Sequence, residues 1–210
     1  MRALPATPSR YRFGAIVLAG GRSSRMGCSK ATLPFGGFTI IERIIKELSG
    51  AFAEVVVVTS AGATPDISAI ESAGARIVSD RDPFQGPVGA IADGLRQLDC
   101  GAAFVCSCDL PLIRKEVAAA ICAELGQAEF AAPAIGERIQ PLHAAYSRRC
   151  LPQFESAIAR GERKLQSVIA TLRGRVIPEL RVRQFDQTLR SFTNVNTPQQ
   201  YRAALAMLPP

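Results

Sequence analysis

The sequence predicts an α/β domain built on a doubly wound, mostly parallel sheet, and three observations predict it. Apolar runs at 13–19, 55–59, 76–78 and 102–106 have the continuous hydrophobicity of strands covered on both faces. Between them apolar residues recur at helical spacing: Ile40, Ile41, Ile44, Ile45 and Leu48; Val88, Ile91, Leu95 and Leu98; Val117, Ile121 and Leu125. Glycines or short polar residues stand where the runs stop, and ligands of such sheets gather beyond the carboxyl ends of the strands.

Taken in order, the first run breaks into Gly20-Gly21 and a small, basic loop carrying Arg22, Arg25, Gly27 and Lys30. Glycines let backbone N–H groups approach an anion, and three cations beside them favour a polyphosphate over a neutral metabolite. The spacing matches neither G-x-x-x-x-G-K-[ST] nor G-x-G-x-x-G, so a different phosphate-binding solution is required. Ser60 follows the second run and Asp80 the third. Pro83 and Gly86-Pro87 punctuate the next loop, and a helix is expected to start near Pro87.

The fourth run leads through Ser107 and Cys108 to Asp109, just before Leu110-Pro111. A carboxylate there suits Mg²⁺, which takes few protein ligands and keeps phosphate oxygens and water in its shell. A helix-cap or turn aspartate is the plainer alternative. Near the C-terminus, Thr197 and Pro198 read as the N-cap and first position of a helix. Asn194 and Asn196, two apart in an extended segment, present their amides on one side.

Composition narrows the class. No apolar stretch approaches the ~20 residues of a spanning helix, and residues 1–12, with two prolines and three arginines, read as a loose arm without a signal core. A cytoplasmic protein is expected, with 13–210 as one domain. Six cysteines, at 28, 100, 106, 108, 122 and 150, form no zinc-ligand spacing. Of these, Cys28 lies in the glycine loop beside positive charge. The net charge of +7 arises between Arg138 and Arg190, where eleven Lys or Arg face four Asp or Glu. Those cations are spread over several elements and aromatics make up only 6%, so a small anionic substrate fits better than nucleic acid.

The string L-A-G-G-x-S-x-R-M-G-x-x-K, from Leu18 to Lys30, closely resembles the signature of nucleoside-triphosphate transferases. That family has a Rossmann-like, three-layer fold of the nucleotide-diphospho-sugar transferase type. The resemblance implies that the loop wraps a triphosphate, with Leu18, Ala19, Gly20, Gly21, Arg25 and Lys30 as contacts. The C-D-x-P pattern at Asp109 resembles the family's metal-binding motif. The stretch from Asp80 to Gly86-Pro87-Val88-Gly89 resembles its base-recognition segment, and a carboxylate at Asp80 can accept from a guanine N1–H and N2–H₂. Ser60 stands where many relatives place an asparagine just beyond the second strand, and Ser29 where many have an acidic residue.

F-x-N-V-N-T-P, from Phe192 to Pro198, is similar to a segment of molybdenum cofactor guanylyltransferases (MobA-like) within that family; here Gln199 and Gln200 replace the usual acidic residues. Gln140-Pro141-Leu142-His143, with Arg160, Arg163 and Lys164 further on, resembles the pterin-side region. The resemblance implies GMP transfer from GTP to molybdopterin or molybdenum-molybdopterin, with Mg²⁺ and with Arg25, Lys30 and Asp109 catalytic. His143, Arg163, Lys164, Asn194 and Asn196 would then face the pterin. Molybdoenzyme apoproteins or other cofactor-biosynthesis proteins would be the partners, with neither nucleic acid nor membrane. A molybdopterin cytidylyltransferase or another nucleotidyltransferase of the same fold, and a non-catalytic nucleotide sensor or partner-binding module, stay open.

Overall fold

A computed structural model describes residues 13–20, 30–59, 67–79 and 86–208. Strand β1 (Gly14–Leu18) is followed, after a 3-10 turn at Lys30–Thr32, by the hairpin β2 (Pro34–Phe35) and β3 (Phe38–Thr39). Then come α1 (Ile40–Ser49), β4 (Val55–Thr59), α2 (Ile67–Ser72), β5 (Arg76–Ser79), α3 (Gly86–Gln97), β6 (Ala102–Ser107) and α4 (Lys115–Ala123). The later part holds β7 (Phe130–Ile135), β8 (Arg138–Ile139), β9 (His143–Ser147), α5 (Leu151–Ala159), α6 (Leu165–Ile169), β10 (Gly174–Ile177), α7 (Glu179–Arg183) and α8 (Pro198–Leu205).

The main sheet runs in the order β10-β7-β9-β6-β1-β4-β5, with β8 hooked onto β7. Parallel pairing places Ile16 between Val56 and Val105, at the centre of the sheet. One strand on this path is reversed: β9 is antiparallel to both β6 and β7. The chain leaves β1 toward β4 and β5, then returns to the other side of β1 as β6, which makes the carboxyl ends of β1 and β6 a switch point.

Side-chain alternation creates the layers. Ala15, Val17, Val55, Val57 and Phe104 meet Ile40, Ile44 and Leu48 of α1 and Val117 and Ile121 of α4. Ile16, Leu18, Val56, Val58 and Val105 point to the opposite face, against Val88, Ile91 and Leu95 of α3, Phe154 of α5 and Leu165 of α6. Both faces of the central strands are therefore dry, which explains why their sequences read as unbroken apolar runs. Their β-branched residues are stiff at χ1 and suit the pleated interior.

Helix α1 buries all five apolar residues that its spacing singles out, at roughly 1.5–3 kcal/mol each before entropy is counted. Its start is fixed by a capping box: the Glu42 N–H donates to Thr39 Oγ1 at 3.3 Å, and the Thr39 N–H donates to the Glu42 carboxylate at 2.7 Å. In α3, a β-carbon on Gly94 would lie 2.7 Å from Ile16 Cγ2, so the glycine lets the helix rest directly on β1.

The mostly parallel, three-layer architecture is the one the sequence predicts. The first strand is one residue shorter at each end than the run 13–19, the third extends to Ser79, and α3 starts at Gly86, next to Pro87. The apolar runs do not announce β7, β9 or β10. Ala131, Ala132, Ala144 and Ala145, all fully buried, carry little β-branched character, and Pro133 interrupts β7. The expected N-terminal arm lies outside the described residues, among which no helix is long and apolar enough to cross a membrane.

Candidate active site

The site is assembled at the carboxyl edge of β1 and β6. Past the last paired residues, the Ala19 N–H donates to the Val58 carbonyl at 2.8 Å and the Cys108 N–H to the Leu18 carbonyl at 3.0 Å. These two bonds hold the strand ends together, with Leu18 buried, Ala19 half-buried and Gly20 exposed at the rim. Gly21, Arg22, Arg25 and Cys28 of the glycine loop, and Ser60 and Asp80 at the next two strand ends, lie outside the described residues.

Asp109 follows β6 by two residues and is half-buried. Its Oδ1 accepts from the Ser107 hydroxyl. Ser107 is a residue that motif reading passes over, although a serine two positions before an acid on an extended chain shares its side and can orient it. Between them, Cys108 is a neutral thiol: burial pushes its pKa up to about 12, helped by the Asp109 charge and opposed by Lys30. It is no nucleophile at neutral pH. Among the described residues no group of three or more His, Cys, Asp or Glu is arranged to hold a metal ion. A single carboxylate is the expected protein share for Mg²⁺ when phosphate oxygens and water complete the shell, so Asp109 fits that ion.

Lys30 opens the 3-10 turn beyond the glycine loop, and its Nζ donates to Asn196 Oδ1 at 2.5 Å. The N-x-N segment thus reaches the first motif across the molecule. It is also fastened to the second: the Val195 N–H donates to the Asp109 carbonyl at 2.8 Å, with Val195 fully buried. Beyond it Thr197 caps α8, accepting from the Gln200 N–H at 3.2 Å, and Gln200 Oε1 accepts from the Asn196 N–H at 2.8 Å. Gln200, one of two residues that depart from the family pattern, still serves as an acceptor. Asn194 is exposed.

The strap that ends in this segment starts at Asp186, which is 2% exposed. Asp186 Oδ2 accepts from the Ser191 N–H at 2.8 Å and the Ser191 hydroxyl at 2.7 Å. Burial alone would raise its pKa, but these bonds, the Arg190 N–H and the Arg114 charge together hold it below the usual value. Leu189 sits between them in the left-handed region, at φ 55°.

The other predicted pterin-side residues are placed differently. Arg163 and Lys164 are exposed on the turn between α5 and α6. The Arg163 carbonyl lies 3.7 Å from where a β-carbon on Gly86 would stand, so this turn abuts the start of α3, on the same edge of the sheet. His143 opens β9 opposite Cys106 and is 1% exposed, its ring centroid 5.2 Å from that of Phe104 and 4.3 Å from that of Phe192. Neither ring nitrogen has a hydrogen-bond partner among the described residues. Burial lowers its pKa to about 3 despite the nearby Asp186 charge. The imidazole is a neutral wedge beneath the strap, not a group on the cleft surface.

Residues 15–177 match the model of the MobA-like NTP transferase domain. The chain belongs to the MobA-like NTP transferase family. Among its relatives, the probable molybdenum cofactor guanylyltransferase of Methanosarcina mazei is 33% identical over 87% of this chain and 85% of its own. The molybdenum cofactor guanylyltransferase of Desulfosudis oleivorans is 32% identical over 92% and 94%. Among solved structures, the molybdopterin-guanine dinucleotide biosynthesis protein A of Archaeoglobus fulgidus superposes with a TM-score of 0.80 at 26% identity, covering 92% of this chain and 97% of that one. The 2-C-methyl-D-erythritol 4-phosphate cytidylyltransferase of Thermus thermophilus, at TM-score 0.66 and 17% identity over 91% and 96%, shares the fold. As a family member, the chain is a nucleotidyltransferase.

Proposed function

We propose that this protein transfers GMP from GTP to the terminal phosphate of molybdopterin or molybdenum-molybdopterin, releasing pyrophosphate. The observation that carries the proposal is the convergence of Lys30, Asp109 and the Asn194–Asn196 segment on one strand edge. The molybdenum cofactor guanylyltransferase names of the two relatives, each more than 30% identical over most of the chain, support the same reading.

In this reaction an acceptor phosphate oxygen forms a bond to the α-phosphorus of GTP, and the bond from that phosphorus to the bridging β-phosphate oxygen breaks. The attacking phosphate is already an anion at neutral pH, so no proton has to be removed and no general base is needed. This fits a chain whose lone histidine is sealed in the interior. Rate enhancement then rests on alignment and on neutralising charge.

Lys30, Arg25 and the N–H groups of Gly20 and Gly21 bind the triphosphate and stabilise charge moving onto pyrophosphate, with Leu18 and Ala19 forming the floor beneath. Asp109, aimed by Ser107, would hold Mg²⁺. When bound, that ion supplies charge neutralisation at the phosphates. Ser60 and Asp80 contact the ribose and base. Asn194, Asn196, Arg163 and Lys164 face the acceptor, and His143 supports the strap that carries the two asparagines from below, through Phe192.

Binding of GTP, CTP, ATP and UTP with Mg²⁺, combined with a molybdopterin-dependent pyrophosphate assay, tests the proposal. GTP preference and pterin-dependent release are the expected results. A CTP preference overturns the guanylyl assignment, and absence of pyrophosphate release leaves a nucleotide sensor.

A further inference from the structure

Lysine is a poor fixed anchor. Its four-carbon stem is rich in rotamers, and an unheld ammonium must lose that freedom when a phosphate arrives. Here the Lys30 ammonium is already held, 166 residues away in sequence, by the side-chain carbonyl of Asn196. The holder is itself braced twice, by the Gln200 amide oxygen on its own N–H and by the Val195–Asp109 bond one residue before it.

From this geometry we infer that Asn196 is a positioning residue for nucleotide binding: it presets the Lys30 ammonium at the carboxyl edge of β1 and β6 before the triphosphate arrives. The choice of an amide matters. An amide oxygen orients an ammonium without cancelling its charge, whereas a carboxylate at 196 would form an ion pair and compete with the incoming phosphate. Because the same short segment carries Asn194 and is fastened to Asp109, the strap passes information in both directions. Displacing it loosens the nucleotide's lysine, and engaging that lysine tightens the strap on which the acceptor rests.

This inference rests on the assignment of Lys30 to the triphosphate. The test is a double-mutant cycle on the full chain, reading the dissociation constant of GTP with Mg²⁺ by calorimetry in the absence of pterin, so that acceptor contacts cannot contribute. Asn196→Ala is expected to weaken GTP binding about tenfold when Lys30 is present and less than twofold in a Lys30→Ala background. Gln200→Ala, which touches neither lysine nor nucleotide, is expected to weaken binding about threefold with the same dependence on Lys30. An Asn196 that only supported the local fold would weaken binding by one common factor in both backgrounds, and that result overturns the inference. So does an Asn196→Ala protein that binds GTP like the parent while Lys30→Ala is impaired. If Lys30→Ala itself binds GTP normally, the phosphate assignment fails first and takes this inference with it.

Discussion

Two aspartates near the strap are treated in opposite ways. Asp186 is almost sealed from solvent, and Ser191 supplies both an N–H and a hydroxyl to a single carboxylate oxygen, with the Thr188 hydroxyl on the other. Asp109 is half-buried at a strand end and, among the described residues, takes one side-chain hydrogen bond, from Ser107. A carboxylate whose lone pairs are filled internally can only hold the chain in shape. One oriented by a single hydroxyl keeps acceptor capacity for something that arrives from outside. The two positions therefore divide the work. Asp186 fixes the strap, and Asp109 keeps acceptor capacity at the strand end, as the proposed metal role requires.

The largest effect that can break this contrast is at Asp109. Asp109→Ala is expected to lower pyrophosphate release by at least about 10³-fold while changing GTP binding only a few-fold. Turnover close to that of the parent removes Asp109 from the metal role. Asp186→Ala should do the reverse, costing about 3 kcal/mol in urea unfolding because buried donors of Ser191 lose their acceptor. If it left stability untouched and abolished turnover alone, the division of labour drawn here would be inverted.

Acidification sharpens the comparison further. His143 is neutral in the fold, with its pKa lowered to about 3, but in the unfolded chain it takes a proton near pH 6.5. The unfolded state thus binds more protons below pH 6.5, so stability falls as pH drops from there toward 3, by about 2 kcal/mol between pH 7.5 and pH 5. His143→Leu should flatten that part of the profile in thermal melts at the two pH values; an unchanged slope would assign it to other groups. Asp186 acts at lower pH, since its pKa is depressed: its contribution is complete above the unfolded carboxylate value and is lost as pH falls through the folded one. The smallest effect is at the end of the strap, where Thr197→Ala should cost about 1 kcal/mol by removing the cap of α8.

Much of this was legible in the residues themselves. The Val55–Thr59 run, the five apolar positions of α1 and the Thr197-Pro198 helix start follow from side-chain stiffness, periodicity and capping, all local properties. The half-buried place of Asp109 at a strand end was legible too, because the apolar run stops just before it. The Lys30–Asn196 bond was not, since it joins two motifs that sequence alone leaves far apart. The setting of His143 was illegible for a related reason. A sole histidine beside Gln140-Pro141 attracts a functional reading, yet the pairing of β9 between β6 and β7 turns it inward against Phe104 and Phe192. Alanine-rich β7 and β9 are silent because strand pairing, not intrinsic preference, makes them strands.

The reversal of β9 changes what reaches the carboxyl rim of the sheet. In a sheet whose strands all point one way, only segments that leave strands can reach the reactive rim. Because β9 begins where β6 ends, with His143 beside Cys106, the residues that enter it, Gln140 to Leu142, are delivered to that rim as well. The turn from β8 into β9 is consequently the place where substitution or grafting changes what that rim presents without touching β1 or β6.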